Sequence, residues 1–204
     1  SILSTYIPNS EISMFNMNPS TNKIHVSQIL YENIELAYSI YEKSSGSYDV
    51  TVQPFVELWG FGVKKNIEKI PSKTDIRQAK NNVGMDKIIL NKSDQTIQKI
   101  KPQIKLDLSS IAKGYVIDYI SNYLGDLGYK NHMVEIGGEL KCTGLNYGKK
   151  WSVVIEDPTS NSFLDTLYIS NMSVATSGSY NNYYSINGAK YTHIINPKTG
   201  YPLK

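Results

Sequence analysis

The segment 105–115 carries the residue types best suited to hold a phosphate group. Asp107 lies at the mouth of a predicted helix, Ser109 and Ser110 occupy its first turn, and Lys113 follows one turn later. Free backbone N–H groups and the helix dipole favour an anion at such a start, and a lysine adds a point charge. An ordinary capped helix with a solvated lysine has the same pattern. Because no Gly-x-x-x-x-Gly-Lys-Ser/Thr run exists, a P-loop is excluded.

Four other segments have residue types that could contact a ligand. The paired glycines Gly137 and Gly138 form either a tight hairpin or a close approach to a ligand, and the 176–179 turn is either a phosphate-binding loop or a plain loop. His193 precedes a turn at 196–200 and is either a general base or a half-buried sheet histidine. The aromatic cluster at 59–62 is either a slot for a planar ring or part of the core.

Composition narrows the classes of function. The 204 residues are 40% hydrophobic and 19% charged with a net charge of +3, which excludes a disordered chain and gives no basic stripe for nucleic acid. No apolar stretch is long enough for a membrane span. Cys142 is the single cysteine, so an internal disulfide, a thiolate zinc site and an iron–sulfur cluster are excluded.

The predicted elements place the candidate residues at the ends of strands and helices. Ser27 is expected to cap a helix to about Ser44, and Ser72 with Asp75 forms a capping box. The best helix begins near Asp107 or Ser109 and ends at Gly128, with an expected buried stripe of Ile111, Tyr115, Tyr119, Ile120, Tyr123, Leu124 and Leu127. Strands are expected at 87–90, 96–100, 104–108, 132–136, 139–143, 151–156 and 166–169. A hairpin is predicted around Asn187-Gly188, and residues 1–26 are expected to be irregular. We therefore predict one α+β domain over 1–204, with a mostly antiparallel sheet and helices packed on it.

In order along the chain, these segments resemble the ApbE family, the FAD:protein FMN transferases. The resemblance is carried by Ser4-Thr-Tyr-Ile-Pro-Asn-Ser-Glu-Ile-Ser13, Phe15-Asn16, Ser47-Tyr-Asp-Val-Thr-Val-Gln-Pro54, Leu58-Trp-Gly-Phe61, Leu106-Asp-Leu-Ser-Ser-Ile-Ala-Lys-Gly114, Val134-Glu-Ile-Gly-Gly138, Trp151, Glu156-Asp-Pro158, Ala175-Thr-Ser-Gly178 and His193 to Pro202. It implies a T-fold-like ApbE domain. It also implies Mg²⁺-dependent transfer of FMN from FAD to a threonine hydroxyl of an acceptor flavoprotein, with release of AMP.

The resemblance also implies site residues. Those expected to contact FAD are Tyr6, Ser47, Tyr48, Asp49, Asp107, Lys113 and Ile195. Ser110 falls at a metal-ligand position that an alanine often fills, so its backbone carbonyl is the expected ligand, and His193 and Lys113 are the expected catalytic residues.

Two departures from the family pattern qualify these expectations. Asn196 stands where an aspartate usually precedes Pro197, which removes one charge from the turn. The family's further metal ligands, an aspartate and a threonine, would lie beyond Lys204, and its signal and first strands before Ser1. We therefore expect a piece of a longer, extracytoplasmic, lipid-anchored protein. Two other functions are open from the residues: a Mg²⁺-dependent FAD pyrophosphatase and a non-catalytic flavin-binding module.

Overall fold

A computed structural model describes residues 2–63, 70–158, 160, 162–180 and 182–203. Contacts divide the chain into two compact units, Ser1–Ala112 with Asn181–Lys204 and Lys113–Tyr180. The prediction of one domain over 1–204 stays a prediction. The α+β class is confirmed, because helices and strands are both present. The antiparallel pairing is confirmed as well, because every strand pair among the described residues is antiparallel.

Side-chain caps start three of the four helices described here in the first unit, and the helix Gln53–Leu58 begins without one. These helices are α1 (Glu11–Met17), α2 (Gln28–Lys43), α3 (Gln53–Leu58) and α4 (Lys73–Lys80), with 3₁₀ turns at Val50–Val52 and Met85–Lys87. Ser27 caps α2 through Leu30 N, and Ser72 with Asp75 makes the expected capping box on α4. The helix α5 (Ser109–Asp126) follows and runs into the second unit.

The strands form four small sheets. In the first unit, β1 (Ile24–His25), β2 (Ile88–Asn91) and β3 (Thr96–Lys99) are ordered β1-β3-β2. In the second unit, β4 (His132–Ile136), β5 (Glu139–Thr143) and β8 (Met172–Val174) form one sheet, and β6 (Trp151–Glu156) and β7 (Phe163–Ile169) form another. The first unit also holds the hairpin of β9 (Tyr183–Ile186) and β10 (Ala189–Thr192), which is confirmed around Asn187-Gly188.

Each unit has an apolar cluster. In the first unit, Phe55, Trp59, Phe61, Ile76 and Val83 pack together and are buried. In the second unit, the cluster is Leu140, Cys142, Val153 and Ile169. The aromatic cluster at 59–62 is therefore part of the core, since Trp59 is fully buried.

Three sequence predictions differ from the structure. Residues 11–17 form α1, capped by Ser10, where irregular chain was expected. Residues 104–108 are not a strand, although their alternating apolar side chains are buried. On α5, Ile117 and Ser121 are the buried residues, whereas Tyr119, Ile120, Tyr123 and Leu127 of the predicted stripe are exposed. None of the helices in the described ranges has the length and apolar character needed to cross a membrane.

Candidate functional site

The corner at the start of α5 is held by its own polar groups. Asp107 Oδ1 accepts a hydrogen bond from Ser109 N at 2.9 Å and another from the Ser109 hydroxyl. Asp107 N donates to Val50 O at 2.7 Å, which fixes the corner against the 3₁₀ turn at Val50–Val52. Asp107 is half-buried, while Ser109 and Ser110 are exposed and available to a ligand.

The segment 47–49 lies against this corner. The Tyr48 hydroxyl is 3.0 Å from Ser110 Oγ, and Tyr48 N donates to Ser44 Oγ at 3.0 Å. Burial raises the pKa of the Tyr48 phenol. The Ser110 hydrogen bond opposes this, while Asp107 and Asp49 add to it. The phenol therefore stays protonated and can donate. The structure thus brings Tyr48, Asp107 and Ser110 together.

Asp49 faces inward from the same segment. Its Oδ1 accepts hydrogen bonds from Thr51 N at 2.8 Å and from Thr51 Oγ1 at 2.6 Å, so it caps the 3₁₀ turn. Burial raises the pKa of this carboxyl, and the hydrogen bonds from Thr51 and from the Met85 N–H oppose the rise. Asp49 thus shapes the segment, while its neighbour Ser47 is exposed.

Two residues that sequence analysis did not single out hold the chain leading into the corner. Asn16, in the last turn of α1, accepts from Leu106 N and donates to Leu106 O, both at 2.8 Å. Lys99 is fully buried, and its Nζ donates to Phe15 O at 3.1 Å and to Ile104 O at 3.4 Å. Burial lowers the pKa of this lysine, and the nearby Lys105 charge adds to the effect. The sequence did contain a signal for the burial of Lys99, since it follows Ile97 by two residues and therefore lies on the same, buried face of β3.

Tyr6 lies in the loop before α1 and is 57% exposed. Its position follows from the hydrogen bonds that fold this loop onto α1, including Ser10 Oγ to Ser4 O at 2.6 Å and Ser13 Oγ to Ser4 O at 3.4 Å. The loop is thus hydrogen-bonded to α1, the same helix whose Asn16 side chain hydrogen-bonds to the Leu106 backbone. The Tyr6 ring is therefore exposed to solvent on a loop that hydrogen bonds hold to α1.

His193 is oriented by one backbone carbonyl. Its Nδ1 lies 3.1 Å from Asn182 O, and its ring meets the Phe61 ring edge-on at 6.4 Å between centroids. A carbonyl only accepts, so the neutral imidazole carries its proton on Nδ1 and its lone pair on Nε2. This tautomer suits a proton acceptor at Nε2. Ile195, two residues on, packs on the cluster of Phe55, Trp59 and Phe61 and pairs with Pro202.

In the second unit, Lys113 forms an ion pair with Glu139, the first residue of β5. The ammonium lies beside the Gly137-Gly138 turn, where both glycines have positive φ values of 57° and 91°. The turn is closed by Glu135 Oε1, which accepts from Gly138 N at 2.9 Å. The paired glycines are therefore a tight hairpin turn that also lies next to the predicted phosphate-binding lysine.

A metal site is not formed by side chains of the described residues alone. Within those ranges, no group of three or more His, Cys, Asp or Glu side chains is placed to hold a metal ion. The hydroxyl of Ser110 is engaged with Tyr48. Its backbone carbonyl stays the ligand that the family resemblance implies. One carbonyl does not make a magnesium site, because Mg²⁺ in proteins is usually held by one or two carboxylates together with water and substrate phosphates.

The family model and the curated relatives that match this chain all belong to one family. The family model described as "ApbE family" matches residues 1–204. The FAD:protein FMN transferase of Haemophilus influenzae is 41% identical over 209 residues, which cover 99% of this chain and 60% of the relative. That of Escherichia coli K12 is 34% identical over 208 residues, covering 100% of this chain and 59% of the relative. The chain thus spans less than two thirds of the length of these curated relatives.

Solved structures agree with the sequence relatives. The flavin transferase ApbE from Vibrio cholerae superposes with a TM-score of 0.88 at 34% identity, covering 99% of this chain and 64% of that one. The apbE protein of Thermotoga maritima superposes with a TM-score of 0.89 at 30% identity, covering 99% and 65%. The fold predicted from the sequence motifs is therefore confirmed over the whole described chain.

Proposed function

Because the chain belongs to the ApbE family, we propose that it takes part in the transfer of FMN from FAD to a threonine hydroxyl of an acceptor flavoprotein. The observation that carries the proposal is the junction of the 47–49 segment with the start of α5. There, Tyr48 meets Ser110 at 3.0 Å and Asp107 N meets Val50 O at 2.7 Å. Such a corner offers exposed serines, a helix start and a neutral phenol to the diphosphate of a dinucleotide.

The reaction needs an attacking oxygen, a proton acceptor and charge stabilisation. The threonine oxygen forms a bond to the FMN-side phosphorus, the phosphorus–oxygen bond toward the adenosine phosphate breaks, and AMP leaves with the bridging oxygen. His193 accepts the hydroxyl proton at Nε2, since Nδ1 is engaged with Asn182 O. Lys113 offsets the negative charge of the diphosphate as a point charge.

The flavin end of the substrate is assigned to Tyr6 and Ile195. Tyr6 presents an exposed aromatic ring. Ile195 packs against the aromatic cluster that contains Trp59 and Phe61. Ser47 and Asp49 complete the proposed FAD-binding segment, the first through its exposed hydroxyl and the second by fixing the turn.

Mg²⁺ is part of the proposal as the ion that neutralises phosphate oxygens when bound. The Ser110 carbonyl is the one ligand we assign among the described residues. Since those residues do not form a site by themselves, the roles given to His193 and Lys113 do not depend on the ion. An extracytoplasmic, lipid-anchored location is likewise proposed from the family resemblance.

The test is to incubate the protein, at its natural length, with FAD, Mg²⁺ and a flavoprotein domain carrying a target threonine. Intact mass spectrometry then follows the acceptor, and chromatography follows the nucleotides. FMN mass on the acceptor with free AMP supports transfer. Free FMN and AMP with an unmodified acceptor would show a pyrophosphatase, and intact FAD would show a binding module. Either result overturns the proposal.

The role of His193 is tested separately with His193→Gln, using exposed His25 as the matched control. We expect transfer to fall about 100- to 10,000-fold in His193→Gln, the range for loss of a general base. FAD affinity should be kept, and His25→Gln should behave as wild type. An undiminished transfer rate in His193→Gln would remove the histidine from the mechanism.

A further inference from the structure

The ion pair between Lys113 and Glu139 is unequal in its exposure. The Lys113 side chain is 46% exposed, whereas that of Glu139 is 16% exposed. Oε2 of Glu139 is shielded from solvent, and no hydrogen-bond donor other than the Lys113 ammonium reaches it from the described residues. The ammonium therefore compensates the charge of a mostly buried carboxylate, and the lysine side chain that carries it stays partly exposed.

The turn beside the ammonium is made of two glycines. A Cβ built on Gly137 would lie 4.0 Å from Lys113 Nζ, and one built on Gly138 would lie 3.9 Å from Thr176 Oγ1. The turn beside the lysine thus carries no side chains, and the Thr176 hydroxyl lies near the same turn. Three segments that looked separate in the sequence meet here within the second unit.

A second ion pair joins the same helix and strand, but here the carboxylate lies on the helix and the ammonium on the strand. Lys141 Nζ on β5 lies 2.9 Å from Asp118 Oδ1 on α5. Five residues of helix advance about 7.5 Å and two residues of strand about 6.6 Å, so the two pairs match in spacing. A slip of α5 along β5 from one pair to the next would set like charges opposite each other, so the two pairs favour the observed alignment. The Asp118–Lys141 pair lies outside the proposed site and provides a matched control.

We propose that Glu139 is a positioning residue for Lys113, holding its ammonium toward the diphosphate of the dinucleotide; this rests on the function proposed above. An ammonium has three donors. One ion-pair partner, Glu139, does not occupy all three, and the Lys113 side chain is 46% exposed. Approach of a phosphate from solvent gives the order phosphate, ammonium, carboxylate, in which each charge neighbours its opposite. Loss of the carboxylate releases the lysine from this geometry, so affinity falls even though a negative charge has been removed.

The experiment measures FAD affinity by fluorescence titration of the protein at its natural length. Glu139→Gln should weaken binding about three- to ten-fold, the range expected when a long side chain must be ordered by the ligand. Asp118→Asn should bind as wild type, and Glu139→Asp, which keeps the charge, should recover part of the loss. In a Lys113→Gln background, Glu139→Gln should cause no further change. Thermal unfolding of each variant checks that the comparison is between folded proteins.

The outcomes separate this inference from the proposed function. If the wild-type protein does not bind FAD, the function itself is wrong. If the wild type binds FAD but Glu139→Gln binds equally well or more tightly, Glu139 does not position Lys113. An equal loss in the Asp118→Asn control, or an equal loss with and without Lys113, would show a general effect on the fold and would also overturn the inference.

Discussion

The hydroxyl groups of Tyr48 and Ser110 lie 3.0 Å apart across 62 residues of sequence. This contact joins the segment that follows α2 to the first turn of α5. Because burial keeps the Tyr48 phenol protonated by raising its pKa, the pair is a hydrogen bond between two neutral groups. It holds two of the proposed FAD-contacting segments in one fixed relationship.

Tyr48→Phe should weaken this relationship without disturbing the core. We expect the free energy of unfolding to fall by about 0.5–1 kcal/mol, as for a partly exposed neutral hydrogen bond, and FAD affinity to fall with it. Chemical denaturation and fluorescence titration measure the two effects. Tyr147→Phe is the control, since the Tyr147 side chain is fully exposed. Equal stability of both variants would mean that the contact does not hold the segments together.

Asp107 has a capping role that can be separated from its charge. An asparagine retains the oxygen that accepts from Ser109 N, so Asp107→Asn should keep wild-type stability, whereas Asp107→Ala should lose about 1 kcal/mol. Because the carboxylate is lost in both, both should impair the placement of FAD or metal and slow FMN transfer. Denaturation together with the transfer assay distinguishes the two roles. Full activity of Asp107→Asn would show that Asp107 only stabilises the start of the helix and that its charge is not needed for transfer.

Short-range signals in the sequence were sufficient for many elements of the fold. Ser27, the Ser72–Asp75 box and the Asn187-Gly188 turn each act within three or four residues, so their partners lie in the same stretch of chain. The alternation of Ile104, Leu106 and Leu108 was interpreted as a strand, and these side chains are buried. It did not predict the backbone partners, since Leu106 bonds to the Asn16 side chain and Asp107 N to Val50 O instead of to a neighbouring strand.

Contacts between residues far apart in the chain could not be predicted, because no local pattern in the sequence encodes them. The spacing of apolar residues on α5 shows that they share a face but not what covers it, and Tyr119 and Tyr123 are exposed. Nothing local in the sequence pairs Lys113 with Glu139 or buries Lys99 against Phe15 O and Ile104 O. The candidate residues were therefore found by type and motif, while their partners came from the structure.

The buried Asp49 carboxyl makes stability depend on pH. Its native pKa is raised by burial above the usual value of 3.8, so the folded protein binds this proton more tightly than the unfolded chain. Stability contributed by the protonated form is then lost as pH rises from 3.8 through the native pKa, and the loss is constant above it. In Asp49→Asn the amide retains the acceptor for Thr51 and does not titrate.

The measurement is the difference in unfolding free energy between wild type and Asp49→Asn at a series of acidic to neutral pH values. Wild type should lose stability relative to the variant as pH rises through this window. A difference that stays flat would show that the carboxyl is not perturbed. A difference that changes in the opposite direction would show that the hydrogen bonds from Thr51 outweigh burial.

Gly200 closes the turn that follows His193 and Ile195, and its lack of a side chain is required. Its φ is 76°, and a Cβ there would lie 2.7 Å from Phe55 Cε1 and 2.8 Å from Ile76 Cγ2. Its carbonyl accepts from Trp59 Nε1 at 2.8 Å, so the turn is fastened to the buried aromatic cluster. Gly188 has the same φ of 76° but open space around its Cβ position, which makes it a matched control.

Gly200→Ala should cost about 2–4 kcal/mol of stability, the sum of overpacking and left-handed strain. Gly188→Ala should cost about 1–2 kcal/mol, from the strain alone. Because displacement of the turn also moves Ile195 and the Trp59 indole, Gly200→Ala should shift tryptophan fluorescence and weaken FAD binding, and Gly188→Ala should do neither. Denaturation, emission spectra and titration test these effects together. If the two alanine variants were equally stable, the packing of Gly200 against Phe55 and Ile76 would not constrain the turn, and FAD affinity would then have no reason to differ between them.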